Sequence, residues 1–245
     1  MEKLAKYAEE LNLTAIHRSN GDLTIVKALV SKNIPVITRT LLTKDNDIGH
    51  YRIITGYNEN QKELIQSDSY QGANRRYSYD EFLKLWEPYG YEYLVITRPE
   101  QEDIVKQALG QNWEEEKAWQ GLLEKAESAN SLFNEAVAQY HLGNYEAAKK
   151  AYEKAAPYLP ARTLWYQLEP ILTYQKLGEH ETVFKITNQI LNTGNRAYPE
   201  LYFIQAQIYQ AQNNIPAARE RLAQALFYDP YYEEAQNLLS RINSR

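Results

Sequence analysis

His50-Tyr51-Arg52-Ile53-Ile54-Thr55-Gly56-Tyr57, followed by Glu63-Leu64-Ile65-Gln66-Ser67 and then Asp68-Ser69-Tyr70, sets the architecture of the first part of the chain. Both runs are rich in β-branched and aromatic residues. The polar turn Asn58-Glu59-Asn60-Gln61 between them makes a β-hairpin the expected local structure. Side chains alternate along a strand, so His50 and Asp68 share a face in a register that sets Arg52 opposite Asp68. A slip of one residue separates them. A histidine beside an aspartate is the base-and-orienter half of a nucleophilic site. The spacing alone is a weak signal, because a strand histidine is commonly a hydrogen-bonded structural residue.

Outward from the hairpin, residues 1–98 mix short helices with strands. Lys3 to Leu11 reads as a helix, Thr14 to Arg18 as a strand, and Asp22 to Lys32 as a helix with a broad apolar face from Leu23, Val26, Ala28, Leu29 and Val30. Ile34 to Leu42 reads as a strand opened by Pro35, where a missing amide is tolerated. Ser78-Tyr79-Asp80-Glu81 has the capping-box pattern and opens a helix through about Trp86. Tyr91 to Thr97 closes the region as a strand. The expectation is an α+β domain with a mostly antiparallel sheet. His17 falls in a strand-to-helix connection and reads as a surface residue.

Composition changes near Pro99, and the rest of the chain is helical in period. Gly143, Gly178 and Asn213 recur 35 residues apart, each between two helical segments. Around the first, Ala136, Tyr145, Ala148, Tyr152, Ala155 and Pro160 fall at tetratricopeptide-repeat offsets. A later unit keeps Ala206, Tyr209, Ala218, Ala225 and Pro230. The middle unit is degenerate, with Ile171, Val183 and Ile190 at small-residue positions and Pro170 interrupting its first helix. Tyr231 to Asn243 reads as a capping helix. A further helix from Asn112 to Ser128, with Trp119, Leu122, Leu123 and Ala126 on one stripe, is expected at the other end. The organisation is therefore 1–98 α+β, 99–129 linker and helical cap, and 130–245 an all-α tetratricopeptide superhelix of about three units.

The 245 residues hold no cysteine, which excludes disulfides, thiolate metal sites and a cysteine nucleophile within this sequence. The net charge of -5 and scattered basic residues argue against nucleic acid as a partner. No window approaches the ~20 apolar residues of a membrane span. The first residues lack the apolar segment of a signal peptide, so the chain as written is expected in the cytoplasm. An upstream signal peptide in a longer product would make it extracytoplasmic. Four scattered histidines and the lack of a Gly-rich phosphate loop point to no metal and no cofactor.

Several stretches together carry a resemblance. They are Gly21-Asp22-Leu23, Asn33-Ile34-Pro35-Val36-Ile37, the His50 segment, Ser67-Asp68-Ser69-Tyr70 and Tyr79-Asp80-Glu81-Phe82. In order and spacing they resemble the C-terminal half of a papain-like cysteine peptidase family related to the bacterial double-glycine (bacteriocin-leader) peptidases. Leu159-Pro160-Ala161-Arg162-Thr163-Leu164-Trp165-Tyr166-Gln167 is similar to a segment of family members that append tetratricopeptide repeats to this domain. The resemblance implies that His50 is the catalytic histidine and Asp68 its orienter. It also implies that the nucleophilic cysteine and an oxyanion-hole glutamine lie upstream of anything in this sequence.

Three functions are compatible with these residues. The first is a truncated, inactive peptidase-like domain fused to a peptide-binding module, with an apolar patch exposed beside His50. The second is an active thiol peptidase whose cysteine-bearing half belongs to a longer product or to another polypeptide. The third is a pure repeat adaptor. Its groove is expected to be lined by Phe133, Val137, Tyr140 and His141, then Trp165, Leu168, Leu172 and Gln175, then Phe203, Gln207 and Gln210. Such an aromatic, amide-rich surface suits an apolar helix or extended peptide bound without strong salt dependence.

Overall fold

The alternating part of the chain forms six strands: β1 (Thr14–Arg18), β2 (Val36–Leu41), β3 (Gly49–Asn58), β4 (Glu63–Asp68), β5 (Gly72–Ser78) and β6 (Tyr93–Thr97). They join in one sheet in the order β1-β6-β2-β3-β4-β5, with every neighbouring pair antiparallel. A computed structural model describes residues 1–125 and 129–244. The strand over Gly72–Ser78 has no counterpart in the sequence reading. Its Gly-Ala-Asn-Arg-Arg run lacks apolar alternation, because it is an exposed edge strand whose charges guard against further pairing.

Helix α1 (Glu2–Glu10) packs beside β1. Two further helices cover one face of the sheet. Helix α2 (Leu23–Val30) begins where the Asp22 carboxylate accepts the Ile25 amide at 2.8 Å, and it buries Ile25, Val26, Leu29 and Val30. Helix α3 (Tyr79–Trp86) begins at the expected capping box of Ser78 and Glu81 and buries Phe82, Leu85 and Trp86. All of these but Leu85 join Val36, Ile54, Leu64, Tyr93 and Val95 of the sheet in one core cluster. At about 1.5–3 kcal/mol for each large apolar side chain removed from water, this cluster is the main source of the domain's stability. Helix α4 (Glu102–Leu109) adds Val105 and Leu109 to the same cluster, beyond the composition change at Pro99.

Two compact units divide the chain, Met1–Tyr166 and Gln167–Arg245. The first unit also contains α5 (Glu115–Leu123), α6 (Ala129–His141) and α7 (Tyr145–Ala155). Helix α5 is shorter than the expected Asn112 to Ser128, being preceded by a 3-10 turn over Gly110–Trp113; Ala126 and Ser128 lie outside the described residues. Within this unit Asn134 donates to the Glu87 carbonyl at 2.8 Å. Leu122 lies so close to Gly90 that an added Cβ would sit 3.0 Å from its methyl.

The second unit contains α8 (Glu169–Lys176), α9 (His180–Thr193), α10 (Pro199–Ala211), α11 (Ile215–Tyr228) and α12 (Glu233–Asn243). Pro170 sits in the first turn of α8 and starts a short helix, rather than interrupting a longer one. The turns after α6, α8 and α10 are alike. Gly143, Gly178 and Asn213 have φ of 79°, 75° and 59°, and the next residue's amide reaches back to Gln139, Tyr174 and Tyr209 respectively. This is a Schellman-type stop, and a left-handed residue at that point is what the 35-residue spacing reports.

Candidate active site

The register of the β3–β4 hairpin changes along its length. Near the turn, Tyr57 pairs with Leu64 and Gly56 with Ile65. Carried on unchanged, that register would set Ile53 opposite Asp68, on the face away from His50. A bulge at Thr55 absorbs one residue, so Ile54 pairs with Gln66 and Ile53 with Ser67. The corrected register aligns Arg52 with Asp68 and puts His50 on the same face, one step along.

The contacts follow from that alignment. His50 Nε2 lies 3.0 Å from Asp68 Oδ2, with the imidazole mostly buried and the carboxylate fully so. The N–H is off the line to the oxygen, and neither atom has an aligned hydrogen bond, so this is an ion-pair contact that a small ring rotation would align. The other carboxylate oxygen is fixed: Asp68 Oδ1 accepts the amides of Tyr70 at 2.7 Å and Gln71 at 2.8 Å. Burial alone would raise the Asp68 pKa. The two amides and the neighbouring His50 outweigh it and hold the carboxyl below its ordinary value. With Nε2 turned to the carboxylate, Nδ1 is the nitrogen left to take a proton from a nucleophile.

Arg52 completes the group, and the sequence reading did not single it out. Its fully buried guanidinium has Nε 3.3 Å from Asp68 Oδ2, and donates to the Leu41 carbonyl at 2.7 Å, the Leu42 carbonyl at 2.6 Å and the Thr40 hydroxyl. This permanent cation beside the Asp68 carboxylate ties it to the end of β2. The signal was present in the alternation, since Arg52 falls on the inward positions with His50 and Ile54. Thr38, Thr40, Arg52, Gln66 and Asp68 make this part of the covered face polar yet buried.

Tyr51 and Ile53 alternate with His50 along β3, face the other side of the sheet and are exposed, as is Ile48 in the loop before β3. His17 is not a surface loop residue. It lies in β1, and its Nε2 is 2.7 Å from Glu92 Oε1, while Arg39 Nη1 is 3.1 Å from Glu92 Oε2. Burial would raise the Glu92 pKa, but His17 and Arg39 bring it down to about 2.

Residues 2–94 match the Peptidase_C39 like family. The first part of the chain is thus a papain-like, peptidase-related domain, and the match contains both His50 and Asp68. No curated protein matches the chain.

The residues expected to line a groove divide between the two units. Phe133 and Val137 are buried in a cluster with Ala155, packed by Trp119, Tyr152, Leu159 and Leu164, so they are core and do not line an open surface. Also in the first unit, His141 is exposed and stacked on Trp119 at 4.0 Å, and Tyr140 and Trp165 are partly buried. In the second unit Leu168, Leu172, Gln175, Phe203, Gln207 and Gln210 are all partly exposed. Gln175 donates to Gln207 at 3.0 Å, which joins α8 to α10, and Phe203 leans on Tyr232. Among the described residues, no group of three or more His, Asp or Glu side chains is arranged to hold a metal, and no helix is long and apolar enough to cross a membrane.

Proposed function

We propose that the peptidase-related domain supplies the base-and-orienter half of a thiol-peptidase site, and that the 245 residues alone bind peptide rather than cleave it. The observation that carries this reading is the pair itself. Asp68 is locked by two turn amides and Arg52, and it faces Nε2 of His50, in a sequence with no cysteine. In such a site His50 Nδ1 takes the thiol proton, the thiolate attacks the scissile carbonyl, and the resulting imidazolium is stabilised by Asp68 and later protonates the leaving amine. A cysteine thiol from a further segment or from another polypeptide would be the nucleophile. With none to activate, His50 contributes no covalent catalysis. The purified chain is expected to show no turnover of a fluorogenic peptide pool. Turnover that His50→Ala abolishes would contradict the proposal.

A second reading concerns the helical unit after Gln167. The partly exposed Leu168, Leu172, Phe203, Gln207 and Gln210 favour a peptide-binding surface of apolar and amide character. Affinity for apolar peptides is expected to change little with salt, and Phe203→Ala to weaken it. A roughly tenfold loss between low and moderate ionic strength would point instead to charge-driven binding.

A further inference from the structure

We propose that the segment Leu159–Tyr166 is a strap that positions His50, making Arg162, Tyr166, Asp47 and Gly49 positioning residues for the site. The inference rests on the reading of His50 and Asp68 as that site. It goes beyond it by assigning a role to a segment far outside the family match.

His50 occupies an insecure place in the sheet. It pairs with Thr40 on the last rung but one, and after Gly49↔Leu41 the chain leaves the sheet for the loop over 42–48. That loop is closed by the Leu42 amide on the Ile48 carbonyl at 2.8 Å. The end rungs of a ladder fray first, and any movement of Gly49 carries His50 with it. Arg52 pins the β2 side of this end through the Leu41 and Leu42 carbonyls. Among the described residues, no contact within the sheet does the same for Asp47 or for the outer side of Gly49.

The strap does. Arg162 approaches Asp47 twice, with its backbone amide 3.2 Å from Oδ2 and Nη1 3.3 Å from Oδ1. The Tyr166 ring lies against Gly49, where an added Cβ would stand 3.0 Å from its carbon and 2.7 Å from the Tyr89 hydroxyl. The Tyr166 carbonyl accepts from Arg39, which is held in turn by Glu92. Tyr89 meets Tyr166 edge to face at 6.4 Å. The strap is itself anchored, because Leu159 and Leu164 pack on the Phe133–Val137–Ala155 cluster. It therefore bears on the outer face of Gly49 while His50 points to the inner face, and it joins the loop before His50 to the α6–α7 pair.

The test uses the full chain with ¹⁵N-labelled histidine and reads the ring nitrogens of His50, assigned by single substitution of the four histidines. Wild type is expected to hold His50 in the tautomer protonated at Nε2. Arg162→Ala and Gly49→Ala should change the tautomer ratio at least about twofold toward a mixture. Arg162→Lys should restore it, and Tyr158→Ala, on an exposed neighbour, should leave it unchanged. Strap variants that lower the unfolding midpoint yet leave the His50 nitrogens as in wild type would overturn the proposal. Arg162→Ala removes only a partly exposed pair, so it keeps the test decisive if Gly49→Ala does not fold. Should Asp68→Asn leave the His50 nitrogens unmoved, the site reading itself fails, an outcome distinct from failure of the strap.

Discussion

Glu92 and Asp68 are two buried carboxylates whose folded pKa values are depressed. Glu92 is buried, carries His17 and Arg39, and titrates at about 2 in place of 4.5. Its folded pKa is depressed, so its contribution to stability is complete above about 4.5 and is lost as pH falls toward about 2. Unfolding free energy measured across that window should fall with acid in wild type, and Glu92→Gln should flatten that slope. Asp68 shifts in the same direction and adds to the same acid loss. Asp68→Asn leaves the Arg52 guanidinium buried without its counter-ion, which costs about 3–5 kcal/mol for a pair of this kind. Denaturant unfolding should register that loss. An effect below about 1 kcal/mol would mean that the Leu41, Leu42 and Thr40 oxygens satisfy Arg52 unaided. Of the residues at this site, His50 and Asp68 were legible in the sequence because their chemistry is distinctive. Arg52 follows the same alternation, but an arginine on a strand reads as surface, and its place in the group shows only in its contacts with Asp68, Leu41 and Leu42.

The hairpin as an element was legible from its β-branched runs and polar turn, but its register was not. The turn alone implies a pairing that would separate His50 from Asp68, and the bulge at Thr55 corrects it. The extra residue leaves little trace in the letters, since Thr55 and Gly56 suit a regular strand as well as a bulged one. Deleting Thr55 should leave Ile54 opposite Gln66 in a regular ladder. The ring nitrogens of His50 should then match wild type, whereas a loss of the Asp68 contact would show that the bulge does more than set the register. Edge strand β5 was invisible for the opposite reason: it pairs through its backbone while exposing arginine and asparagine, so it carries no apolar period. Helix starts at Asp22 and Ser78 were readable because a cap is local chemistry.

For the whole molecule, composition and packing mark different boundaries. The letters change near Pro99, and the family match ends at residue 94. The core continues through Val105 and Leu109, and the first compact unit through Tyr166. Helical period in the sequence does not reveal which helices pack on a sheet and which pack on one another, so this extension was not legible. A fragment ending at Tyr166 should unfold cooperatively. One ending at Arg98 strips Val105 and Leu109 from the core and should fail to do so; cooperative unfolding of that shorter fragment would contradict the assignment. The same unit brings the strap onto Asp47 and Gly49, beside a histidine more than 100 residues away in sequence.

The proposed role of His50 is that of a thiol-peptidase base with no cysteine nucleophile within these 245 residues. The most direct measurement is peptide turnover by the chain before and after it is joined to, or mixed with, a cysteine-bearing papain-like segment. The account predicts no turnover by the chain alone. It predicts turnover on complementation that both iodoacetamide and His50→Ala abolish. Complemented turnover that survives His50→Ala, or turnover by the cysteine-free chain alone, would contradict it.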